Sequence, residues 1–242
     1  MIAESNPSEQ QCIAKLDHVG LGYRRQGGLP WKRETFWALE DVSFTLNKGD
    51  TLGIIGRNGA GKSSLLRVIS GIINPDRGTV DRAKGIKSTM LSFGAGFEPR
   101  LTGRQNIILN GLQLGMDKKH ILDRMEQIVD LTDIGEFIDQ PVRTYSTGMR
   151  ARLGFAIAYF VDTDILLIDE ALATGDEAFR KKATDLIREK ISSDITVVIV
   201  SHSMNMIANT CSRVIQIEHG RSLPELAIDE TIERYRATTA DG

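Results

Sequence analysis

The sequence has little cysteine, no long apolar run and no excess of charge of either sign. Cys12 and Cys211 are the only cysteines among 242 residues. So few thiols, so far apart, provide neither a metal knuckle nor a disulfide framework. They are expected to be packing residues that stay reduced. No apolar stretch approaches the ~20 residues a membrane-spanning helix needs. The first residues, MIAESNPSEQQ, lack the basic start and apolar core of a secretion signal. The formal net charge is −2, from 30 basic and 32 acidic residues, which leaves no general basic surface for nucleic acid and no charged tail. Repeats and low-complexity tracts are missing too. Together these absences describe a soluble protein that stays inside the cell, whose partners must be argued from local sites.

What is present is an alternation of short apolar runs and helical periods. Strands are expected around Ala14–Leu21 and Ala38–Leu46, with a polar and aromatic insertion, RRQGGLPWKRETFW (24–37), between them and a turn at Asn47-Lys48-Gly49 after the second. Thr51–Ile55, Ile165–Ile168, Thr196–Val200 and Val214–Ile217 read as buried strands. Apolar strands spaced by helices argue for a parallel sheet covered on both faces. Between about Ser92 and Phe160 helical periods dominate. Asp117 is placed to cap a helix whose Ile121, Leu122, Met125, Ile128 and Val129 share a face, and the segment reads as a helical insert. Phe179, Ala183, Leu186 and Ile187 mark one side of a later helix. A short last helix, from Asp229, has Ile228, Ile232 and Tyr235 in register.

Within the insert, YSTGMRARLGFAIA (145–158) puts Met149, Leu153, Ala156, Ile157 and, just beyond, Phe160 on one helical face, so a helix begins near Gly148. Its mouth is Ser146-Thr147-Gly148. A small hydroxyl, a glycine and uncovered N–H groups at a helix start make a seat for an anion, usually phosphate. An ordinary cap before a core helix has the same look.

Gly56-Arg57-Asn58-Gly59-Ala60-Gly61-Lys62-Ser63, followed by Ser64, matches the phosphate-loop pattern G-x-x-x-x-G-K-[ST] and follows a buried strand. It also precedes a helix bearing Leu65, Leu66, Val68 and Ile69. Glycines let the loop curl with its N–H groups inward, Lys62 neutralises β- and γ-phosphate charge, and the Ser63 hydroxyl ligates Mg²⁺. ILLIDE (165–170) is an apolar strand running into two acids. Asp169 would hold the Mg²⁺ shell, leaving Glu170 to orient or deprotonate an attacking water. VVIVSH ends in His202, which is either a γ-phosphate sensor or a surface histidine. His18, His120 and His219 have no such setting.

In the order and spacing of these motifs the chain resembles the nucleotide-binding subunit of ATP-binding-cassette (ABC) transporters, from Ile13 to about Gly220. The resemblance rests on GRNGAGKSS, YSTGM, ILLIDE, TGDEAF and VSH. It implies an α/β fold: a P-loop NTPase (RecA-like) core with a mainly parallel sheet, an N-terminal antiparallel β part and a helical insert. The expected organisation is one domain, with the core at 13–91 and 161–222, the insert at 92–160 and a C-terminal helix at 223–242.

The resemblance further implies ATP and Mg²⁺ as ligands, Asp176 in the loop after the catalytic strand, and head-to-tail pairing of two subunits. In that pairing Ser146, Thr147 and Gly148 of one copy grip the γ-phosphate held by the other. Tyr23 lies where the family puts an aromatic ring against adenine, and Trp31, Phe36 and Trp37 are rivals. Met149 stands where the family commonly has Gln. The Gln that usually precedes the insert is missing from LSFGAGFEPRLTGRQNI, where Glu98 is the available substitute.

The same stretch, with TGDEAFRKK and VSHSM, resembles exporters of lipid-linked O antigen, capsule or teichoic acid. This implies a membrane subunit as obligatory partner, reached through Phe97–Arg100, and a place at the cytoplasmic face of the bacterial inner membrane. No C-terminal carbohydrate-binding β-sandwich is expected. Three other readings stay open: a P-loop kinase or GTPase, a cassette ATPase of DNA maintenance, and a clamp that binds nucleotide without turnover.

Overall fold

The computed structural model describes residues 11–24, 35–91, 96–169, 177–191, 193 and 195–240. In chain order these form β1 (Cys12–Arg24), β2 (Thr35–Asn47), β3 (Thr51–Ile55), α1 (Lys62–Ile69), β4 (Arg77–Arg82), β5 (Ser88–Leu91), α2 (Gly103–Gln113), α3 (Lys118–Asp123), α4 (Met125–Thr132), two 3-10 turns (Gly135–Asp139 and Val142–Thr144), α5 (Thr147–Tyr159), β6 (Ile165–Ile168), α6 (Glu177–Ile191), β7 (Thr196–Val200), α7 (Met204–Thr210), β8 (Arg213–Glu218), β9 (Arg221–Ser222) and α8 (Ile228–Ala240). They divide between two compact units, Met1–Ile86 with Asp194–Gly242, and Lys87–Ser193.

In the first unit the strands run in the order β4, β1, β2, β9, β8, β3, β7. Every residue of β3 and β7 is buried, as expected of strands covered on both faces. β3 is parallel to both neighbours, with Ile54 opposite Val200 and Ile55 opposite Gln216. The C-terminal ends of β3, β7 and β8 therefore share one edge, where α/β sheets bind ligands. Gly53 lets α7 approach β3 closely, since a Cβ there would lie 3.1 Å from both Cys211 Sγ and Ile207 Cγ2. Cys211 is thus the packing residue expected. Cys12 is not, because it lies exposed at the start of β1.

β1, β2 and β4 form the antiparallel part. β4, sequence RGTVDR, is a largely exposed edge strand with no apolar run to announce it. The ends of the insertion read at 24–37 prove to be strand: Arg24 closes β1, and Phe36 and Trp37 lie in β2. Trp31 lies outside the described residues.

In the second unit β5 pairs in parallel with β6, Leu91 opposite Ile168. The helix expected after Asp117 is two helices broken at Arg124. Asp117 occupies the cap position without a side-chain bond, and Leu122 is exposed. α5 is buried over more than one face, at Ala151, Leu153 and Phe155–Ala158, while Met149 and Phe160 are half-buried. It is enclosed because it packs against α2, α4 and β5, and Phe155 meets Phe179 of α6 edge to face at 5.5 Å.

The C-terminal segment of the first unit is pinned by Arg213. Its guanidinium donates to Asp50 Oδ2 at 2.6 Å and Thr45 O at 3.1 Å, and as a fork to both Glu225 oxygens at 2.7 and 2.8 Å. Asp50 is only 5% exposed, so removing its partner strands a carboxylate away from water. Arg213→Met is expected to lower stability by about 2–4 kcal/mol in urea unfolding. Glu225→Gln, which loses a charge but leaves Asp50 paired, should lower it by less than half as much.

Candidate functional site

The phosphate loop runs from the end of β3 into α1. Its shape depends on two glycines that lie against neighbouring main chain. A Cβ on Gly56 would fall 2.3 Å from Ile217 O, and one on Gly61 2.2 Å from Ala38 O. Gly61 also has φ +103, a left-handed value that side chains disfavour. It occupies the cap position of α1 and provides no side-chain acceptor, so the first-turn N–H groups of α1 are left for an anion. Lys62 is buried, and its ammonium donates to Gly56 O at 2.7 Å and Arg57 O at 3.0 Å. The loop's own carbonyls thus hold a cation beside those N–H groups. Arg57, Asn58, Gly59 and Ser63 are exposed, Ala60 is buried, and Ser64 is half-buried.

Strand register separates the candidate rings for a base. Tyr23 pairs directly with Phe36, and Gly22 with Trp37. Adjacent strand residues point to opposite faces, so Tyr23 and Phe36 share one face and Trp37 takes the other. Trp37 is already engaged: the Arg77 guanidinium lies 3.8 Å over its ring, and its edge packs near Gly20 and Gly22. Tyr23, 38% exposed, places its hydroxyl 3.3 Å from Ser64 Oγ beside the phosphate loop. Tyr23 and Phe36 thus share a face, with the Tyr23 hydroxyl beside the phosphate loop, and Trp37 takes the opposite face under Arg77.

His202 lies exposed in the turn between β7 and α7, at the same strand edge as the phosphate loop. The turn is shaped by Ser203 N donating to Ser201 Oγ at 3.1 Å and Met206 N to Ser203 Oγ at 3.3 Å.

In the second unit Asp169 follows β6 at its C-terminal end and is half-buried. Glu170 and Asp176 lie outside the described residues. Ser146 caps α5, its Oγ accepting from Met149 N at 3.1 Å. Because the oxygen accepts from the helix, the hydroxyl proton is left to donate outward. Ser146 and Thr147 are exposed, and among the described residues a Cβ on Gly148 would meet only Ser146 Oγ, at 3.8 Å.

The residue before the cap is held from both ends. Tyr145 OH donates to Phe137 O at 2.6 Å, and Tyr145 O accepts from Arg150 Nε and Nη2 at 3.2 and 2.9 Å. Burial pushes the Tyr145 phenol up to about 12, so it remains a donor at neutral pH. Glu98, the candidate to stand in for the missing Gln, is exposed and its carboxylate accepts from Arg100 N at 3.3 Å. Sequence reasoning missed Asn106, which is fully buried on α2 and holds residues 98–102 with its side chain. The T-x-x-Q capping box one residue earlier, Thr102 with Gln105, is the only local signal that this helix start is built with care.

Residues 39–173 match the ABC transporter family model. The O-antigen export system ATP-binding protein RfbB of Klebsiella pneumoniae is 46% identical over 209 residues, 86% of this chain and 85% of that one. The teichoic acids export ATP-binding protein TagH of Lactiplantibacillus plantarum is 45% identical over 206 residues, 85% of this chain and 56% of that one. In fold the chain is similar to the ATP-binding cassette MJ0796, solved as a dimer in a post-hydrolysis state with ADP and Pi. There the TM-score is 0.73 at 23% identity, over 89% of this chain and 99% of the other.

The ring assignment has a direct check. Tyr23→Ala should weaken ATP binding about tenfold by loss of stacking, in equilibrium titration with a fluorescent ATP analogue. Trp37→Ala should leave that affinity within about twofold while lowering the melting temperature, because it removes the packing of a half-buried ring against β1 and a cation–π contact.

Proposed function

The chain belongs to the ABC transporter family and is an ATPase of that family, and we propose that it drives export of lipid-linked polysaccharide, O antigen foremost. The observation that carries the substrate class is the 46% identity to an O-antigen export ATP-binding protein across 86% of this chain and 85% of the relative. The similarity to a teichoic acid exporter's ATPase keeps the shared chemistry, a long glycan on a lipid carrier, at the centre of the reading. Capsular polysaccharide and teichoic acid are its nearest alternatives.

In the proposed cycle ATP lies on the phosphate loop of one copy, with Lys62 and the first-turn N–H groups of α1 on its phosphates and Tyr23 against the base. Ser146, Thr147 and Gly148 of a second copy meet the γ-phosphate. A seat with one acceptor committed to its own helix and one hydroxyl proton turned outward suits an anion better than a cation. Glu170 would orient the attacking water, His202 would contact the γ-phosphate, and Asp176 would line the junction between copies.

Mg²⁺ would be held by the Ser63 hydroxyl, which is exposed on the phosphate loop, and by the carboxylate of Asp169 at the end of β6, each an oxygen donor of the kind Mg²⁺ accepts. It would neutralise charge on the β- and γ-phosphates.

Among the described residues no helix is long and apolar enough to cross a membrane. The reading therefore includes a separate polytopic membrane subunit as the channel. Two copies of this chain would be held against it at the cytoplasmic face of the inner membrane, with the stretch Phe97–Arg100 in contact. The core at 13–91 and 161–222, the insert at 92–160 and the C-terminal helix at 223–242 are the proposed working parts.

Expression of Lys62→Ala in place of the native protein should make lipid-linked polysaccharide accumulate at the inner membrane face, identified by extraction and sugar analysis. Export continuing at the normal level would remove the chain from that pathway. In the purified protein Glu170→Gln should slow ATP hydrolysis by at least ~100-fold, and an unchanged rate would take Glu170 out of the chemistry.

A further inference from the structure

A fully buried carboxamide must have both its ends partnered, or it costs more than it contributes. Asn106 is 0% exposed on α2. Its Oδ1 accepts from Glu98 N at 2.9 Å. Its Nδ2 shares two protons among Glu98 O at 3.1 Å, Leu101 O at 3.2 Å and Thr102 O at 3.0 Å. One side chain thereby closes residues 98–102 into a ring about itself.

That ring is stitched to the segment that leads into the α5 cap. Val142 N donates to Leu101 O at 2.9 Å and Arg143 N to Pro99 O at 2.9 Å, and Thr102 and Pro141 form a bridge. The chain then makes a single 3-10 turn, with Thr144 N on Pro141 O at 2.9 Å and Tyr145 N on Val142 O at 3.0 Å. Tyr145 is fixed at its phenol by Phe137 O and at its carbonyl by Arg150. Ser146 follows. From Asn106 to Ser146 the links are hydrogen bonds of 3.2 Å or less, all within one compact unit.

We propose that Asn106 is a positioning residue for the anion seat at Ser146: its buried amide fixes residues 98–102, these fix 141–143, and that register sets where the α5 cap meets a phosphate. The inference rests on the reading of Ser146–Gly148 as the seat offered to a second copy. It also makes the ring that carries Glu98 and the seat one mechanical piece, so a displacement of either reaches the other.

The test uses the full chain with Glu170→Gln, so that ATP persists. Asn106→Asp keeps the size and the acceptor for Glu98 N but turns a second oxygen toward three carbonyls. Two quantities are read: affinity of dilute monomer for a fluorescent ATP analogue, and the ATP-dependent dimer dissociation constant by sedimentation. Monomer affinity should stay within about twofold, because the phosphate loop belongs to the other unit. The dimer constant should rise by about tenfold, the effect of misplacing one hydrogen bond to a charged group. Ser146→Ala should show the same split, and the double variant should be little worse than the more damaging single one, as expected of residues acting through one path.

An Asn106→Asp protein that melts earlier yet dimerises with unchanged affinity would make Asn106 a fold anchor only and overturn the inference. Should Asn106→Asp not fold, Asn106→Ser, which gives up the bonds to the 98–102 ring without placing a charge among its carbonyls, is read instead. It should weaken dimerisation by at least about threefold, and no change would equally overturn the proposal. Normal dimerisation by Ser146→Ala, or a Glu170→Gln protein that stays monomeric with ATP, would instead strike at the trans seat itself and so remove the ground on which the inference stands.

Discussion

The phosphate loop exists on the condition that Gly56 and Gly61 carry no side chain. Each presses against a main-chain oxygen of another strand, Ile217 O or Ala38 O, at a distance no Cβ can occupy. That contact curls the loop tightly enough for its carbonyls to hold the Lys62 ammonium, and it leaves the start of α1 without a side-chain cap. The other elements of that unit serve this arrangement. β3 is buried throughout so that its end is rigid, and its parallel neighbours bring β8, which supplies the oxygen behind Gly56, and β7, which brings His202, to the same edge.

A chain with formal charge −2 gains no help from its overall field in attracting a polyanion. The attraction has to be local, and on the proposed reading two structures provide it. One is the Lys62 loop, which combines a buried cation with helix N–H groups. The other is the α5 mouth, which has no cation in Ser146-Thr147-Gly148 and relies on a helix start, a cap hydroxyl and a bare glycine. The first can hold a nucleotide alone. The second is weaker and would matter only once the phosphate is already presented to it.

The parts of this design that were legible in the sequence are those where local pattern and global role agree. β3, β6 and β7 read correctly to the residue because each is an unbroken apolar run ending in glycine, acid or Ser-His. The phosphate loop and the Ser146 cap are local by nature. β4 was invisible because an edge strand need not be apolar, and the break at Arg124 because the residues on both sides keep helical spacing through it. Tyr23 was preferred among the rings on family position alone, because the register that puts Gly22 opposite Trp37 and Tyr23 opposite Phe36 cannot be read locally. Asn106 was hidden for the same reason: an asparagine early in a helix looks like an ordinary polar residue until the chain folds back over it.

A cassette of this kind can perform work only through a difference in affinity between states. In the proposed cycle the phosphate loop would hold ATP and ADP by largely the same groups, so by itself it would not tell a charged state from a spent one. In that cycle the α5 seat would face the γ-phosphate alone. Loss of that phosphate would remove nearly everything the seat holds, and little of what the loop holds. On that reading the force available to a membrane partner would be set by the weaker of the two seats. Its geometry is fixed by the hydrogen bonds around Asn106 and Tyr145 rather than by the strength of nucleotide binding.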